Sequence, residues 1–147
     1  MKALSLWQPW ASAMALGAKR YETRSWPTKH RGDLAICAAR KQPTLEELGG
    51  DQKLYEATWG VPYGAILCVV DVYECVESRL FIKGADKALL PLCVLSEQEA
   101  EFGDYTPGRW VWMTRNLRPL KKHIPVIGRQ GIFNLPADVE AKVRAQL

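Results

Sequence analysis

The sequence of 147 residues lacks most of the short motifs that mark catalysis or metal binding. It has only two histidines, four cysteines with no Cys-x-x-Cys pair, and no Walker loop, Gly-x-Gly-x-x-Gly, His-Glu-x-x-His or Gly-x-Ser-x-Gly motif. A zinc site, a phosphate-binding P-loop and a serine-hydrolase elbow are therefore not expected. We expect no metal and no cofactor, and we expect His30 and His123 to be loop residues rather than catalysts.

Long apolar runs are also missing. No stretch approaches the roughly eighteen apolar residues of a membrane-spanning helix, and Gln8-Pro9 interrupts the apolar beginning of the chain. We therefore expect no membrane contact. Cys37 and Cys68 lie inside apolar strand-like runs, as free buried thiols do, which predicts a reduced, cytoplasmic protein.

Charge is unevenly distributed along the chain. Residues 18–42 carry a net charge of +5 and residues 109–131 carry +6, whereas residues 43–108 between them carry −8. If the fold brings the two basic segments together, they form a patch suited to phosphate groups. The alternative is that each segment is a separate solvated face.

The pattern of apolar residues predicts a single domain of mixed α/β (α+β) class over residues 1–147. No β-α-β rhythm repeats, so a small β-barrel of about six strands with peripheral helices is favoured over a doubly wound sheet. The predicted strands are residues 3–6, 19–26, 34–39, 65–76, 109–120, 124–127 and 132–135. Predicted helices cover residues 9–17, 96–103 and a polar segment, 137–147, and a further helix from Thr44 is interrupted at Gly49-Gly50 and resumes over residues 51–58. Residues 77–95 are expected to be a loop with short ordered pieces.

Residues 17–26 combine a glycine helix stop with closely spaced charges. In a regular strand Glu22 and Arg24 share one face, and Lys19 faces away from them. Lys19 and Glu22 can converge only if Lys19 lies in the turn after Gly17, or if a bulge re-aims it. The segment is thus either a solvated charge ladder on a surface hairpin or part of a site.

Three groups of residues resemble the ASCH domain, named for activating signal cointegrator homology. They are Leu4-Ser5-Leu6-Trp7-Gln8-Pro9-Trp10-Ala11 with Gly17-x-Lys19-x-x-Glu22-x-Arg24-x-Trp26, then Arg31-Gly32-x-Leu34-x-Ile36, and finally Phe102-Gly103, Gly108-Arg109-x-x-Trp112 and Gly128-x-Gln130-Gly131-Ile132-Phe133. The resemblance spans about residues 3–135. It implies a PUA-like β-barrel and binding or processing of RNA, in a cleft between barrel and first helix that Lys19, Glu22 and Arg24 line.

These residue types suit an unpaired nucleotide. Lys19 and Arg24 offer phosphate contacts, and Glu22 can orient Arg24 or accept from a base amino group. Indole rings stack on bases, although large aromatic side chains more often pack in a core. The remaining candidates for binding RNA or a nucleotide are Trp7, Gln8, Trp10, Trp26, Arg31, Arg109, Trp112 and Arg129.

Other functions remain open at this point. Some small ASCH-like proteins are amidohydrolases that remove acyl groups from N4 of cytidine with a Lys, a Thr and a Glu. Lys19 matches that pattern, but Glu22 stands at the threonine position and Thr23 is one residue away; Glu97, Glu99 or Glu101 would supply the acid. A ribonuclease using Lys19 and Glu22, and a non-catalytic adaptor that binds an acidic protein, are the further alternatives.

Overall fold

The computed structural model describes residues 1–83 and 94–147. Within these residues six strands form one mixed sheet in the order β2-β7-β4-β3-β1-β8, which curls into a half-barrel with four helices. The elements are β1 (Lys2–Leu6), α1 (Trp10–Ala15), β2 (Tyr21–Arg24), β3 (Gly32–Ala38), α2 (Gln52–Glu56), β4 (Ala65–Glu77), β5 (Ile82–Lys83), β6 (Val94–Leu95), α3 (Glu97–Phe102), β7 (Trp110–Pro125), β8 (Ile132–Asn134) and α4 (Ala137–Arg144). The predicted α+β class and the barrel of about six strands are confirmed.

The sheet is antiparallel except where β1 pairs with β3 in parallel. Each face of the sheet has its own apolar cluster, because side chains alternate between the faces along a strand. Met14 of α1 packs on the face that includes Leu4, Ile36 and Trp112. Val143 of α4 packs in the second cluster. Burying such a side chain contributes about 1.5–3 kcal/mol, so α1 is fixed against the sheet beside the end of β1.

The most apolar predicted strands are confirmed. β3 is buried at every position from Leu34 to Ala38, and β4 is buried from Ala65 to Val70. Cys37 and Cys68 are both fully buried on these strands, and desolvation raises the pKa of each thiol to about 12. Neither thiol therefore has the reactivity of an exposed cysteine.

Three predicted strands, at residues 19–26, 109–120 and 124–127, do not form as predicted. The strand predicted at residues 19–26 is limited to Tyr21–Arg24, because Lys19 N–H bonds back to the carbonyl of Ala13 at the end of α1. Residues 124 and 125 belong to β7, which continues without the predicted break, so His123 is a strand residue and not a loop residue. A separate strand at 124–127 does not form.

Of the helix predicted from Thr44 with a break at Gly49-Gly50 and a second part over residues 51–58, only the second part forms as a helix, α2. Thr44 and Glu47 make a reciprocal capping pair, in which Thr44 Oγ1 accepts from Glu47 N at 3.1 Å and Glu47 accepts from Thr44 N at 2.9 Å. The turn that follows ends at Gly49 and Gly50, whose φ angles of +70° and +78° are incompatible with a continuing helix. Local capping therefore produces only a turn before the predicted break at Gly49-Gly50, and a regular helix forms after it.

Part of the predicted loop at residues 77–95 falls outside the described residues. The described portion holds a short 3₁₀ turn at Ser78–Leu80 and the parallel two-stranded pair of β5 and β6. In the part of the chain that the structure describes, no helix has both the length and the apolar character needed to cross a membrane.

Candidate functional site

A chain of three charged side chains lies at the end of α1. Gly17 ends the helix with φ +79°, and this turn directs Lys19 toward the strand that follows. Lys19 Nζ lies 3.0 Å from Glu22 Oε2 and also donates a hydrogen bond to the carbonyl of Tyr21. Of the two arrangements that the sequence left open, the turn is the one that brings Lys19 and Glu22 together.

Arg24 completes the chain on the other side of the carboxylate. Its Nε lies 2.8 Å from Glu22 Oε1, but the N–H does not point along a hydrogen bond, so this contact is an ion pair only. One terminal nitrogen donates to the carbonyl of Ser5 at 3.2 Å. Lys19 and Glu22 are 2% and 8% exposed, whereas the Arg24 side chain keeps 26% of its surface. Arg24 therefore has donors left for a ligand, because a guanidinium carries five.

The backbone beneath this chain is held by α3 and β7. The buried carboxylate of Glu99 accepts from the N–H groups of Arg20 and Tyr21, the second at 3.4 Å, and Thr114 Oγ1 donates to the carbonyl of Arg20. Ser96 Oγ accepts from Glu99 N at 3.2 Å, which confirms half of the capping box in residues 96–99. The Glu99 carboxylate positions residues 19–21 instead of capping its own helix.

Thr23 takes part in a second group of contacts beside the chain. Its Oγ1 accepts from Asp104 N at 3.1 Å, and its carbonyl accepts from Arg109 at 3.2 Å. Thr106 donates to the Asp104 carboxylate from both its hydroxyl and its N–H, and with Arg109 nearby these contacts hold the pKa of Asp104 below its usual value. The Asp104 carboxylate thus remains ionised at neutral pH.

These groups line an open cleft of about 1020 Å³. Its lining includes residues 5–7 and Trp10, the charged chain of Lys19, Glu22 and Arg24, and residues 126–131. The predicted site residues that line the cleft are Trp7, Trp10, Lys19, Glu22, Thr23, Arg24, Trp26, Arg109 and Arg129. Glu101 also lines it, whereas Glu97 and Glu99 do not.

Three predicted ligand contacts lie elsewhere. Gln8 has no exposed surface: its amide nitrogen donates to Ser12 Oγ and to the carbonyl of Pro62, and its oxygen accepts from Ser12 N at 3.0 Å. Gln8 therefore secures the beginning of α1. Arg31 is exposed and pairs with Glu74 at 2.8 Å, outside the cleft.

Trp112 is the third of these, and it supports a cleft residue instead of facing the cleft. It is completely buried, packs edge-to-face on Trp26 with ring centroids 4.8 Å apart, and donates from Nε1 to the carbonyl of Trp26 at 3.3 Å. A side chain without exposed surface cannot stack on a ligand. Trp26 is thereby held in one orientation at the cleft.

Sequence reasoning missed Arg40 and Gln130, which both line the cleft. Arg40 belongs to the basic segment 18–42 and directly follows the β3 region, but nothing local distinguished it from its neighbours. Gln130 lies in the turn between Gly128 and Gly131. A Cβ atom on Gly128 would lie 2.3 Å from Ser5 Oγ, so only glycine allows this turn to approach β1.

The two basic segments meet at this cleft. β2 pairs with β7 in the register Glu22 to Trp112 and Arg24 to Trp110, which joins residues 18–42 to residues 109–131. Five cations line the cleft against three carboxylates: Lys19, Arg24, Arg40, Arg109 and Arg129 against Glu22, Glu101 and Asp104. Among residues 1–83 and 94–147, no cluster of three or more His, Cys, Asp or Glu side chains is arranged to hold a metal ion.

Comparison with known proteins agrees with this architecture. Activating signal cointegrator 1 of mouse and of human are each 29% identical to the chain over 144 residues; the match covers 92% of this chain, and the chain spans only 22% of the length of those relatives. Two crystal structures of ASCH from Zymomonas mobilis, one a point mutant, superpose with TM-scores of 0.57 at 17% and 16% identity; they cover 98% of this chain and 96% and 93% of their own chains. The family model of the ASCH domain matches residues 4–117. The chain therefore belongs to the ASCH domain family.

Proposed function

We propose that the cleft binds single-stranded RNA, with one unpaired nucleotide held against its tryptophans. The observation that carries the proposal is the convergence of three indole rings and five cations from separate parts of the chain on one open cleft. RNA-binding surfaces for unpaired bases combine aromatic platforms with a basic groove along the backbone.

The aromatic wall is suited to stacking. Trp7 is 39% exposed at the cleft, and the ammonium group of Lys41 lies over its ring at 5.5 Å. Trp26 is held from behind by Trp112. A fixed ring loses little conformational entropy when a base stacks on it, and such stacking contributes about 1–3 kcal/mol per base.

The cations suit the phosphates of the strand. Arg40 and Arg129 line the cleft and have no ion-pair partner among the described residues, so their charges are available to phosphate oxygens. Lys19 and Arg24 are partly satisfied by Glu22, which leaves fewer donors. The Glu22 carboxylate retains lone pairs beyond those used by Lys19 and Arg24, and these can accept from a base amino group.

The same contacts argue against efficient hydrolysis. Lys19 and Glu22 neutralise each other at 3.0 Å, so neither resembles the free base or activated nucleophile that acyl transfer needs. Thr23 Oγ1 is engaged by Asp104 N–H, and no base among the described residues is hydrogen-bonded to it. Binding without rapid turnover is the function that this arrangement supports best.

The first test measures how RNA affinity depends on salt. Anisotropy titrations with a labelled single-stranded RNA of about ten nucleotides should give an affinity that falls steeply with salt, because bound cations release counterions from the strand. Arg129→Ala should reduce the slope of log K against log salt by about 0.7, the value for one lost phosphate contact on a single strand. Arg144→Ala removes the same charge from α4, outside the cleft, and serves as the control.

Stacking is tested in the same titration. Trp7→Ala should weaken RNA binding roughly 5- to 150-fold, which corresponds to about 1–3 kcal/mol. Trp59→Ala is the matched control, because Trp59 is 55% exposed and lies outside the cleft. Salt-independent affinity, or equal effects of the cleft variants and their controls, would contradict the proposal. Stronger binding of an acidic peptide than of RNA would favour a protein-binding adaptor.

A separate assay addresses catalysis. The purified protein is incubated with N4-acetylcytidine, and cytidine release is followed by chromatography; we expect slow release or none. Rapid release that disappears in both Lys19→Ala and Glu22→Ala would make the protein an amidohydrolase with a carboxylate at the threonine position. Cleavage of the RNA itself, followed on gels and lost in the same variants, would instead identify a ribonuclease.

A further inference from the structure

A second, smaller cavity of about 360 Å³ shares Lys19 with the cleft but is otherwise separate from it. Its lining combines apolar side chains with three cationic ones and contains no carboxylate. The residues are Met14, Gly17, Lys19, Arg20, Val70, Thr114, Arg115, Asn116 and Leu117. A cavity of this size with convergent cations is suited to a small anion.

Arg20 is the lining residue whose charged group has no partner within the described residues. Its backbone is fixed on both sides, since Glu99 accepts from its N–H and Thr114 donates to its carbonyl. Its guanidinium, by contrast, has no hydrogen bond or ion pair with any described residue. A guanidinium without an internal partner keeps all five of its donors for bidentate contact with an oxyanion.

Arg115 supplies a second guanidinium. Its Nε lies 2.8 Å from Asp71 Oδ2, and its plane lies over the ring of Tyr73 at 5.1 Å. These two contacts hold the side chain but involve only one of its three nitrogens in a hydrogen bond. The terminal nitrogens remain available, although Asp71 offsets part of the charge.

The backbone at this cavity departs from regular strand geometry. Between the pairs Val69 to Arg118 and Asp71 to Arg115, β7 has one residue more than β4, which defines a bulge. Asn116 within it has φ +51°, a left-handed conformation that few residues other than glycine adopt. Bulges re-aim side chains and are common beside functional sites.

We propose that this cavity is a binding site for a phosphate group, held by Arg20 and Arg115 with Lys19 at its boundary. The site does not depend on RNA binding in the cleft. The phosphate could belong to a nucleic-acid strand that continues past the cleft, or to free phosphate or a small phosphate ester.

The test is a titration of the protein with inorganic phosphate, at constant ionic strength set with chloride. Binding is followed in NMR spectra by the backbone amide and arginine Nε–H resonances. We expect saturable shifts for Arg20, Arg115 and Asn116. Arg20→Ala should weaken the binding at least fivefold, and because the exposed Arg20 side chain makes no hydrogen bond or ion pair with any described residue, this variant should remain folded. Arg144→Ala should stay within twofold of the wild type. Shifts that grow linearly, that chloride reproduces, or that persist unchanged in Arg20→Ala would overturn the proposal.

A second titration distinguishes the sources of the phosphate. Shifts of the same resonances with a short unlabelled oligouridylate, at lower concentration than with phosphate, would assign the site to a nucleic-acid strand. A response to phosphate alone would assign it to free phosphate or a small ester. The indole N–H signals of Trp7 and Trp10 report the cleft independently, so failure of RNA binding there is distinguishable from failure of this site.

Discussion

The buried ion pair of Lys19 and Glu22 makes a quantitative prediction about stability. Lys19→Met removes the ammonium group while preserving most of the length of a side chain that is almost completely buried. Glu22 then keeps Arg24, at 2.8 Å, as its ionic partner. The variant therefore tests what one ion contributes to a buried chain of three charges.

The size of the effect follows from the geometry. At the observed 3.0 Å, and with an effective dielectric constant of about 20, the attraction between Lys19 and Glu22 is about 5.5 kcal/mol. Part of this attraction only offsets the hydration that the ammonium loses on burial, and the thioether of methionine carries no such cost. Removing one partner of a buried ion pair typically costs about 3–5 kcal/mol. Because Arg24 still balances the charge of Glu22, we expect a somewhat smaller loss in the free energy of unfolding, about 2–4 kcal/mol.

Urea unfolding monitored by tryptophan fluorescence measures this loss. In thermal unfolding, the same loss should lower the midpoint temperature by roughly 4–16 °C, because each kcal/mol shifts it by about 2–4 °C in a chain of this size. Lys121→Met is the matched control, since Lys121 is exposed on β7, and it should change stability by less than about 0.5 kcal/mol. A double-mutant cycle combines Lys19→Met with Glu22→Gln. The sum of the stability losses of the two single variants should exceed the stability loss of the double variant by more than about 1 kcal/mol. Additive effects, or a Lys19→Met variant as stable as the control, would refute the reasoning.

Two further predictions concern the edges of the cleft. Thr106→Val should raise the pKa of Asp104 toward its usual value, because one donor to the carboxylate is lost; a carboxyl-carbon NMR titration measures it, and an unchanged pKa would argue against the described contact. With the depressed pKa, the stabilising contribution of Asp104 is complete above the pKa of an unfolded aspartate, about 3.9, and is lost as pH falls through the folded value. Gly128→Ala should cost about 1–3 kcal/mol in urea unfolding through overpacking. The Cβ would lie 2.3 Å from Ser5 Oγ, which makes no hydrogen bond, so added Ser5→Ala should restore most of the stability; no restoration would contradict the steric account.

Local patterns in the sequence were sufficient for the interior of the sheet. β4 could be predicted because it is rich in β-branched residues and follows a turn signal, and β3 because residues 34–38 are apolar without interruption. The position of the Lys19 side chain was harder to predict, since strand alternation alone places it on the face away from Glu22. It was decided by the bond from Lys19 N–H to the Ala13 carbonyl, which keeps Lys19 in the turn and delays β2 until Tyr21.

Residue type alone could not separate ligand contacts from structural ones. The amide of Gln8 has the donors and acceptor that would read a base, but the same groups bond Ser12 and Pro62. Trp112 and Trp26 are chemically identical, and only the three-dimensional packing shows that one is covered by the other. Glu99 lies 77 residues from Glu22, and no local pattern relates its carboxylate to the backbone of β2.

The cleft divides into a fixed interior and an unpaired rim, and the two parts should act differently on a ligand. Arg24 is held by Glu22 and by the Ser5 carbonyl, so a ligand that meets it does not have to immobilise it; ordering such a side chain costs about 0.5–1.5 kcal/mol. Arg40 and Arg129 have no such partner among the described residues. Their charges act mainly at a distance, where they accelerate encounter and are screened by salt, whereas the fixed groups decide which ligand stays bound. Selectivity for a particular base should therefore depend on Glu22 and Arg24, and the salt dependence should depend on the rim.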